Sequence, residues 1–187
     1  MKSDIYQKRY LAHQQKKRKS LTPQTRKLNR YTKKERDIFF KVLENRRSQR
    51  IFTNEETDIK RLLDAINIAP SSCDRKGAYV KVITERKDKE ILSGLLVGGV
   101  GWSYRGDKIL LIVANQMAYK SPAEKVMPYL DAGVIVQTAY LACEVMELGC
   151  CYVNPNIREE NKEFFENRFL DKGEIFCGAL IIGKYGN

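Results

Sequence analysis

The chain has 187 residues, 43% of them hydrophobic and 10% aromatic, enough for one domain around one core. Its net charge of +11 is uneven: residues 1–44 hold 14 Lys/Arg against 4 Asp/Glu, and residues 45–187 hold 20 against 19. No apolar run approaches the roughly 18 residues of a membrane span, no secretion signal follows Met1, and the single histidine, His13, excludes a histidine-based catalytic pair from everything after it.

Residues 1–31 are polar, basic and weakly periodic, with Pro23 in the middle, and read as a flexible segment ahead of a folded body at 32–187. A run such as Lys16-Lys17-Arg18-Lys19 suits an anionic partner, an anionic membrane surface or plain solvation. With no interleaved aromatic platform, specific nucleic-acid reading is not expected. Thr32 and Glu35 form a capping box. Behind them Ile38, Phe39, Val42 and Leu43 recur at helical spacing, which predicts a helix to about Asn45.

A second helix starts near Asp58, carries Ile59, Leu62, Leu63 and Ile66 on one face, and ends before Pro70. Tyr79 to Thr84 reads as a strand, Asp88 to Leu96 as a short helix, and Gly98-Gly99-Val100-Gly101 as a turn. The unbroken run Ile109-Leu110-Leu111-Ile112-Val113 suits a strand covered on both faces. Tyr129 to Leu148 is a helix apolar nearly all round, so it needs more than one layer against it, and a subunit interface is a natural second layer. Gly149 is placed to cap that helix. A short strand at Cys151 to Val153, an amphipathic helix at Arg158 to Leu170 and a strand at Ile175 to Ile182 complete the order. Mixed strands and helices without a repeat predict a layered domain, a central sheet with helices on both sides.

Five cysteines, an odd number, argue for free thiols in a reducing compartment, hence the cytoplasm. With no C-x-x-C pair and one histidine, no metal site is expected. Cys143 and Cys177 read as core fillers; the adjacent Cys150-Cys151 reads as strand packing, with redox activity as the alternative.

Three segments carry the functional reading. Arg46-Arg47-Ser48-Gln49-Arg50 offers guanidiniums and a hydroxyl to one anion, or arginines that complement a helix dipole. Ala69-Pro70-Ser71-Ser72-Cys73-Asp74-Arg75-Lys76 is a turn dense in hydroxyls. Asp131-Ala132-Gly133 leads the long apolar helix, and its carboxylate also suits a helix N-terminus. Gly98-Gly99-Val100-Gly101-Trp102 is not a dinucleotide-binding fingerprint.

In this order and spacing the segments resemble the nitroreductase family, over roughly residues 40–185. The motifs that match are R-x-S-x-R followed by Phe52, A-P-S-S about twenty residues later, and D-x-G with a short strand after Leu148-Gly149-Cys150. The continuation at Cys73 is similar to a branch found with surface-polysaccharide gene clusters, where C-N-R-Q is common; here Asp74 and Lys76 change its charge.

The resemblance implies an α+β fold, a nitroreductase-like three-layer sandwich with a central mixed sheet flanked by helices. It implies FMN as cofactor, NAD(P)H as electron donor, a homodimer with flavin at the interface, and a nitroaromatic, quinone or similar small-molecule acceptor. It assigns Arg46, Arg47, Ser48 and Arg50 to the phosphate and ribityl end of the flavin. Pro70, Ser71, Ser72 and Asp74 would reach the flavin of the other subunit, and Gly99, Trp102, Cys151 and Asn154 would lie near its ring. No catalytic acid or base is named. The family usually continues past the last strand to a basic residue on the phosphate; Lys184 is near but not at that position, so weaker FMN binding is expected. A catalytically degenerate interaction module, docking on an anionic partner through the basic segment, is the alternative.

Overall fold

The computed structural model describes residues 30–119, 121 and 124–186. The Lys16–Lys19 run, His13 and nearly all of the segment expected to be flexible lie outside these residues. Contacts divide the chain between Asp37 and Ile38, within the first helix, α1 (Lys33–Asn45). The helix opens on the expected capping box. The Thr32 amide and hydroxyl both donate to the Glu35 carboxylate at 2.7 Å, and the Glu35 amide donates back to the Thr32 hydroxyl at 3.2 Å. Amides that the helix end leaves without partners are satisfied in this way.

From Ile38 onward the chain forms a sheet with a helical layer on each face. The strands are β1 (Ala78–Ile83), β2 (Lys108–Asn115), β3 (Leu148–Val153) and β4 (Glu174–Lys184), in the order β1-β2-β4-β3. The helices after α1 are α2 (Lys60–Ile68), α3 (Arg86–Leu95), α4 (Met127–Val145) and α5 (Lys162–Phe169).

Residues of β2 alternate between the two faces. Leu110 and Ile112 pack with Leu180 and Ile182 of β4 under α2 and α4, against Leu62, Ile66, Ile135 and Ala139. Ile109, Leu111 and Val113 pack with Ile181 on the opposite face, under Leu92 and Leu95 of α3 and Phe165 and Phe169 of α5. Every residue from Ile109 to Ala114 is fully buried, which is why this run carries no polar side chain. Burying each such aliphatic side chain contributes about 1.5–3 kcal/mol. The three-layer α+β architecture is the expected one.

The sheet differs from the mixed one expected: each neighbouring pair is antiparallel. Parallel neighbours need a crossover that returns to the far end of the sheet. Only α4, 19 residues and roughly 28 Å long, crosses in that way, and it joins β2 to β3, which are separated by β4.

The long helix stops at Val145, earlier than expected, because Glu147 takes the left-handed conformation (φ 55°) and β3 begins at Leu148. Gly149 therefore lies inside a strand, not at a helix cap. A Cβ there would stand 3.0 Å from both Gln49 Cγ and a carbon of the Phe52 ring. The outer side of α4 stays uncovered within one chain: Leu130 is 57% exposed and Val145 66%. On α1, Phe39 and Phe40 are also more than half exposed. Among the described residues, no helix is long and apolar enough to cross a membrane.

Candidate functional site

The stretch after α1 is extended because the sheet edge captures it. The Gln49 amide donates to the Cys150 carbonyl at 2.9 Å, the Thr53 amide to the Lys184 carbonyl at 3.2 Å, and the Gly186 amide to the Ile51 carbonyl at 3.0 Å. Phe52 pairs with Tyr185 as an isolated bridge and lays its ring on Gly149 and Gly183. Side chains beside Gln49 are thereby aimed across the ends of β3 and α4.

Arg46 places its guanidinium 5.0 Å from the centroid of the Tyr140 ring on α4. Arg50 places its own 5.8 Å from the Trp102 ring, which in turn stacks on Phe52 at 6.5 Å. Neither guanidinium is paired with a carboxylate among the described residues. A guanidinium held over an aromatic ring without a carboxylate partner keeps N–H groups for an anion.

Ser48 lies between them, its hydroxyl 3.1 Å from that of Tyr140. The Tyr140 oxygen also accepts the Tyr152 amide at 2.8 Å. Burial pushes the Cys151 thiol up, opposed by the positive charge of Arg50 and by hydrogen bonds with Tyr140 and Ser48. Cys150 is raised well above the ordinary thiol value by its hydrogen bond with Cys143 and by burial. Both cysteines are at most 2% exposed, in keeping with packing and not with a reactive thiolate.

The glycine turn closes one side. The Trp102 indole donates to the Gly98 carbonyl at 3.0 Å, and a Cβ on Gly98 would stand 3.3 Å from Val153 and 3.9 Å from the Asn154 amide oxygen. Arg46, Ser48, Arg50, Trp102, Cys151 and Asn154 thus belong to one region. Arg47 faces elsewhere: its guanidinium donates to the carbonyls of Glu44 and Arg46, the dipole-complementing role at the end of α1. Gly99 is buried on Ser103, where a Cβ would meet Oγ at 2.9 Å.

Pro70, Ser71, Ser72 and Asp74 form a second region. The Ser72 amide and hydroxyl donate to Asp131 at 2.9 and 2.7 Å, and Tyr119 donates to the other carboxylate oxygen at 2.8 Å. Burial and this bond push the Tyr119 hydroxyl far up. The charge changes at Asp74 and Lys76 answer one another: Lys76 Nζ lies 3.4 Å from Asp74 and donates to the Ala69 carbonyl at 2.6 Å. A cavity of about 100 Å³ opens beside Pro70, Ser71, Lys76, Tyr79 and Asp131. Asp131 and Tyr140 are nine residues apart on α4, a separation of about 13 Å along the axis.

Tyr140 is the member of the first region that sequence reasoning missed. Its only local sign is a tyrosine in a largely apolar helix. Phe52 was noted for its motif and not for its packing.

The fold has clear relatives among solved structures. A nitroreductase family protein from Clostridium novyi superposes with a TM-score of 0.69 at 15% identity, covering 80% of this chain and 86% of that one. A protein described as an NADH dehydrogenase/NAD(P)H nitroreductase from Parabacteroides distasonis gives 0.69 at 18%, over 80% and 88%. A protein described as a nitroreductase from Desulfovibrio desulfuricans, in complex with FMN, gives 0.66 at 23%, over 80% and 87%.

The chain has the nitroreductase fold. No protein-family model matches it, and the comparison with curated proteins gives no match. On the nitroreductase fold, Arg46 and Arg50 sit where α1 meets the sheet, and the Ser71–Ser72 turn sits toward the opposite end of α4.

Proposed function

We propose that the protein is an FMN-dependent oxidoreductase of the nitroreductase family, with NAD(P)H as donor and a nitroaromatic, quinone or similar small molecule as acceptor. The observation that carries this reading is the pair Arg46 and Arg50. Two guanidiniums held over the rings of Tyr140 and Trp102, without carboxylate partners among the described residues and with the Ser48 hydroxyl beside Tyr140, fit a phosphate monoester. The donor set therefore fits the phosphate end of FMN.

When bound, FMN supplies the ring that accepts and passes on a hydride. The chain's residues have simpler tasks. Arg46, Ser48 and Arg50 hold the phosphate. Trp102 and Phe52 form an apolar wall that excludes water beside the clamp. Asn154 and the turn at Gly98 are assigned to the ring end, with Cys151 and Gly99 packed behind them. No side-chain base is required, in keeping with the missing histidine.

Asp131, which receives the Ser72 bonds, and Tyr140, which carries Arg46, stand about 13 Å apart along α4, so one chain offers the two halves of the site apart. A homodimer brings the turn of one copy to the clamp of the other. The exposed Leu130 and Val145 on α4, and Phe39 and Phe40 on α1, support such an interface. All five cysteines are unpaired and four are buried, which fits a reducing compartment such as the cytoplasm.

The test is the visible spectrum of the purified protein, followed by titration with FMN. A flavin absorption band and a melting temperature that rises with FMN concentration are expected. A colourless protein whose melting is unmoved by saturating FMN would end this reading.

A further inference from the structure

The turn between α2 and β1 holds three non-glycine residues in the left-handed region within four positions: Cys73 (φ 53°), Asp74 (φ 54°) and Lys76 (φ 50°). Such residues are strained, and clusters of them persist only where surrounding groups over-determine the backbone. The surroundings here do so from several directions. The Lys76 amide donates to the Ser71 hydroxyl at 2.9 Å, and Lys76 Nζ donates to the Ala69 carbonyl. Arg75 donates to the Ala118 carbonyl at 2.9 Å and to Glu124 at 2.7 Å.

The deepest of these anchors is Asp131. Its side chain is buried at 4% exposure, yet all three of its hydrogen bonds go to two residues, Ser72 and Tyr119. None of them caps the first turn of its own helix. A carboxylate placed in the interior to receive two donors from a strained turn and a third from Tyr119 is a costly arrangement for a turn whose only role is to connect two elements.

From this geometry we infer that Asp131 is a positioning residue that locks the strained Ser71–Lys76 turn into the shape presented to the flavin of the second copy. The inference rests on the flavin reading above and extends it to a residue that does not touch the ligand. The lock works through the two bonds to Ser72, which fix where the turn leaves Pro70. Tyr119 fixes the carboxylate plane. The ligand then meets a turn ordered before it arrives, so it does not bear the ordering cost itself.

The experiment uses full-length protein carrying Asp131→Ala, Asp131→Asn, or Asp131→Ala combined with Cys73→Gly. Two quantities are read: hydrogen exchange at the Ser72 amide without added flavin, and FMN affinity by quenching of flavin fluorescence. Asp131→Ala is expected to speed exchange at Ser72 and to weaken FMN binding at least about tenfold. Asp131→Asn keeps an acceptor for Ser72 and is expected to recover most of that affinity. Glycine at 73 adopts the left-handed conformation without cost, so Cys73→Gly is expected to recover part of the loss in the alanine background.

Faster exchange at Ser72 with FMN affinity unchanged would overturn the positioning role while leaving the flavin reading intact. Unchanged exchange in both Asp131 variants would overturn the lock itself. Wild-type protein that does not bind FMN would overturn the flavin reading, and the assignment of the turn's ligand with it. If Asp131→Ala fails to fold, Tyr119→Phe decides in its place, because it removes the donor that fixes the carboxylate plane: wild-type exchange at Ser72 together with wild-type FMN affinity would overturn the proposal.

Discussion

The hydroxyls of Ser48 and Tyr140, 92 residues apart in the chain, lie 3.1 Å from each other, and the same tyrosine ring carries the Arg46 guanidinium on its face. One side chain on α4 therefore sets the position of both a hydroxyl and a cation of the candidate phosphate clamp. Removing only its oxygen, by Tyr140→Phe, leaves the ring under Arg46 but frees Ser48 and the Tyr152 amide. The expected cost is about 1–2 kcal/mol of stability, seen as a lower melting temperature, together with a several-fold loss of FMN affinity.

Arg46→Ala with Arg50→Ala removes both guanidiniums of the candidate clamp. Charge-assisted bonds contribute about 1.5–3 kcal/mol each, so FMN affinity should fall about a hundredfold or more while the apoprotein still melts cooperatively. Flavin content after desalting checks this. Full flavin retention would remove the phosphate-clamp role from these residues.

Gly183 touches Phe52 so closely that an added Cβ would stand 2.8 Å from a ring carbon. Gly183→Ala must push the ring away from β4, and with it the segment that carries Arg50. Overpacking of this kind costs about 1–3 kcal/mol. Chemical denaturation should show that loss, and replacing Phe52 by leucine in the same chain should restore part of it.

The outer face of α4 tests the dimer. Leu130→Asp with Val145→Asp places two charges on an apolar surface without touching the clamp or the strained turn. Sedimentation should then report a monomer, and FMN retention should fall with dimer content. A flavin-loaded monomer would contradict a site shared between copies.

Asp107 gives a pH dependence. Burial pushes its carboxyl up, but bonds from Lys108 and from the Thr57 hydroxyl and amide outweigh this and hold it below the ordinary value of 3.8. A depressed value means stability that is present above the ordinary carboxylate range and is lost as pH falls through the folded-state value. The gap in melting temperature between wild type and Asp107→Asn should therefore be widest at neutral pH and close below about pH 3.8. A gap that does not change with pH would remove this carboxylate as the cause.

Much of the architecture was written locally. Thr32 and Glu35 set the start of α1 by contacts three residues apart, and the run from Ile109 to Val113 announced a strand with a helical layer on each side. Arg46, Ser48 and Arg50 stand within five consecutive residues, but their spacing alone equally suits arginines at a helix end; the phosphate role came from the resemblance. The capping box and the apolar run depend on residue type and short spacing alone, which a linear chain displays directly.

Other features arise only when distant segments meet. Gly149 looked like a helix cap; the sheet register makes it the floor under Phe52, and Glu147 takes the left-handed turn in its place. Asp131 looked like a helix-end charge, but Ser72 reaches it from 59 residues away. The antiparallel order of the sheet, and the length of α4 that separates the clamp from the Ser71–Ser72 turn, follow from which helix crosses the sheet. Hydrogen-bond partners and close approaches of this kind are set by packing in three dimensions, and no spacing within the chain encodes them.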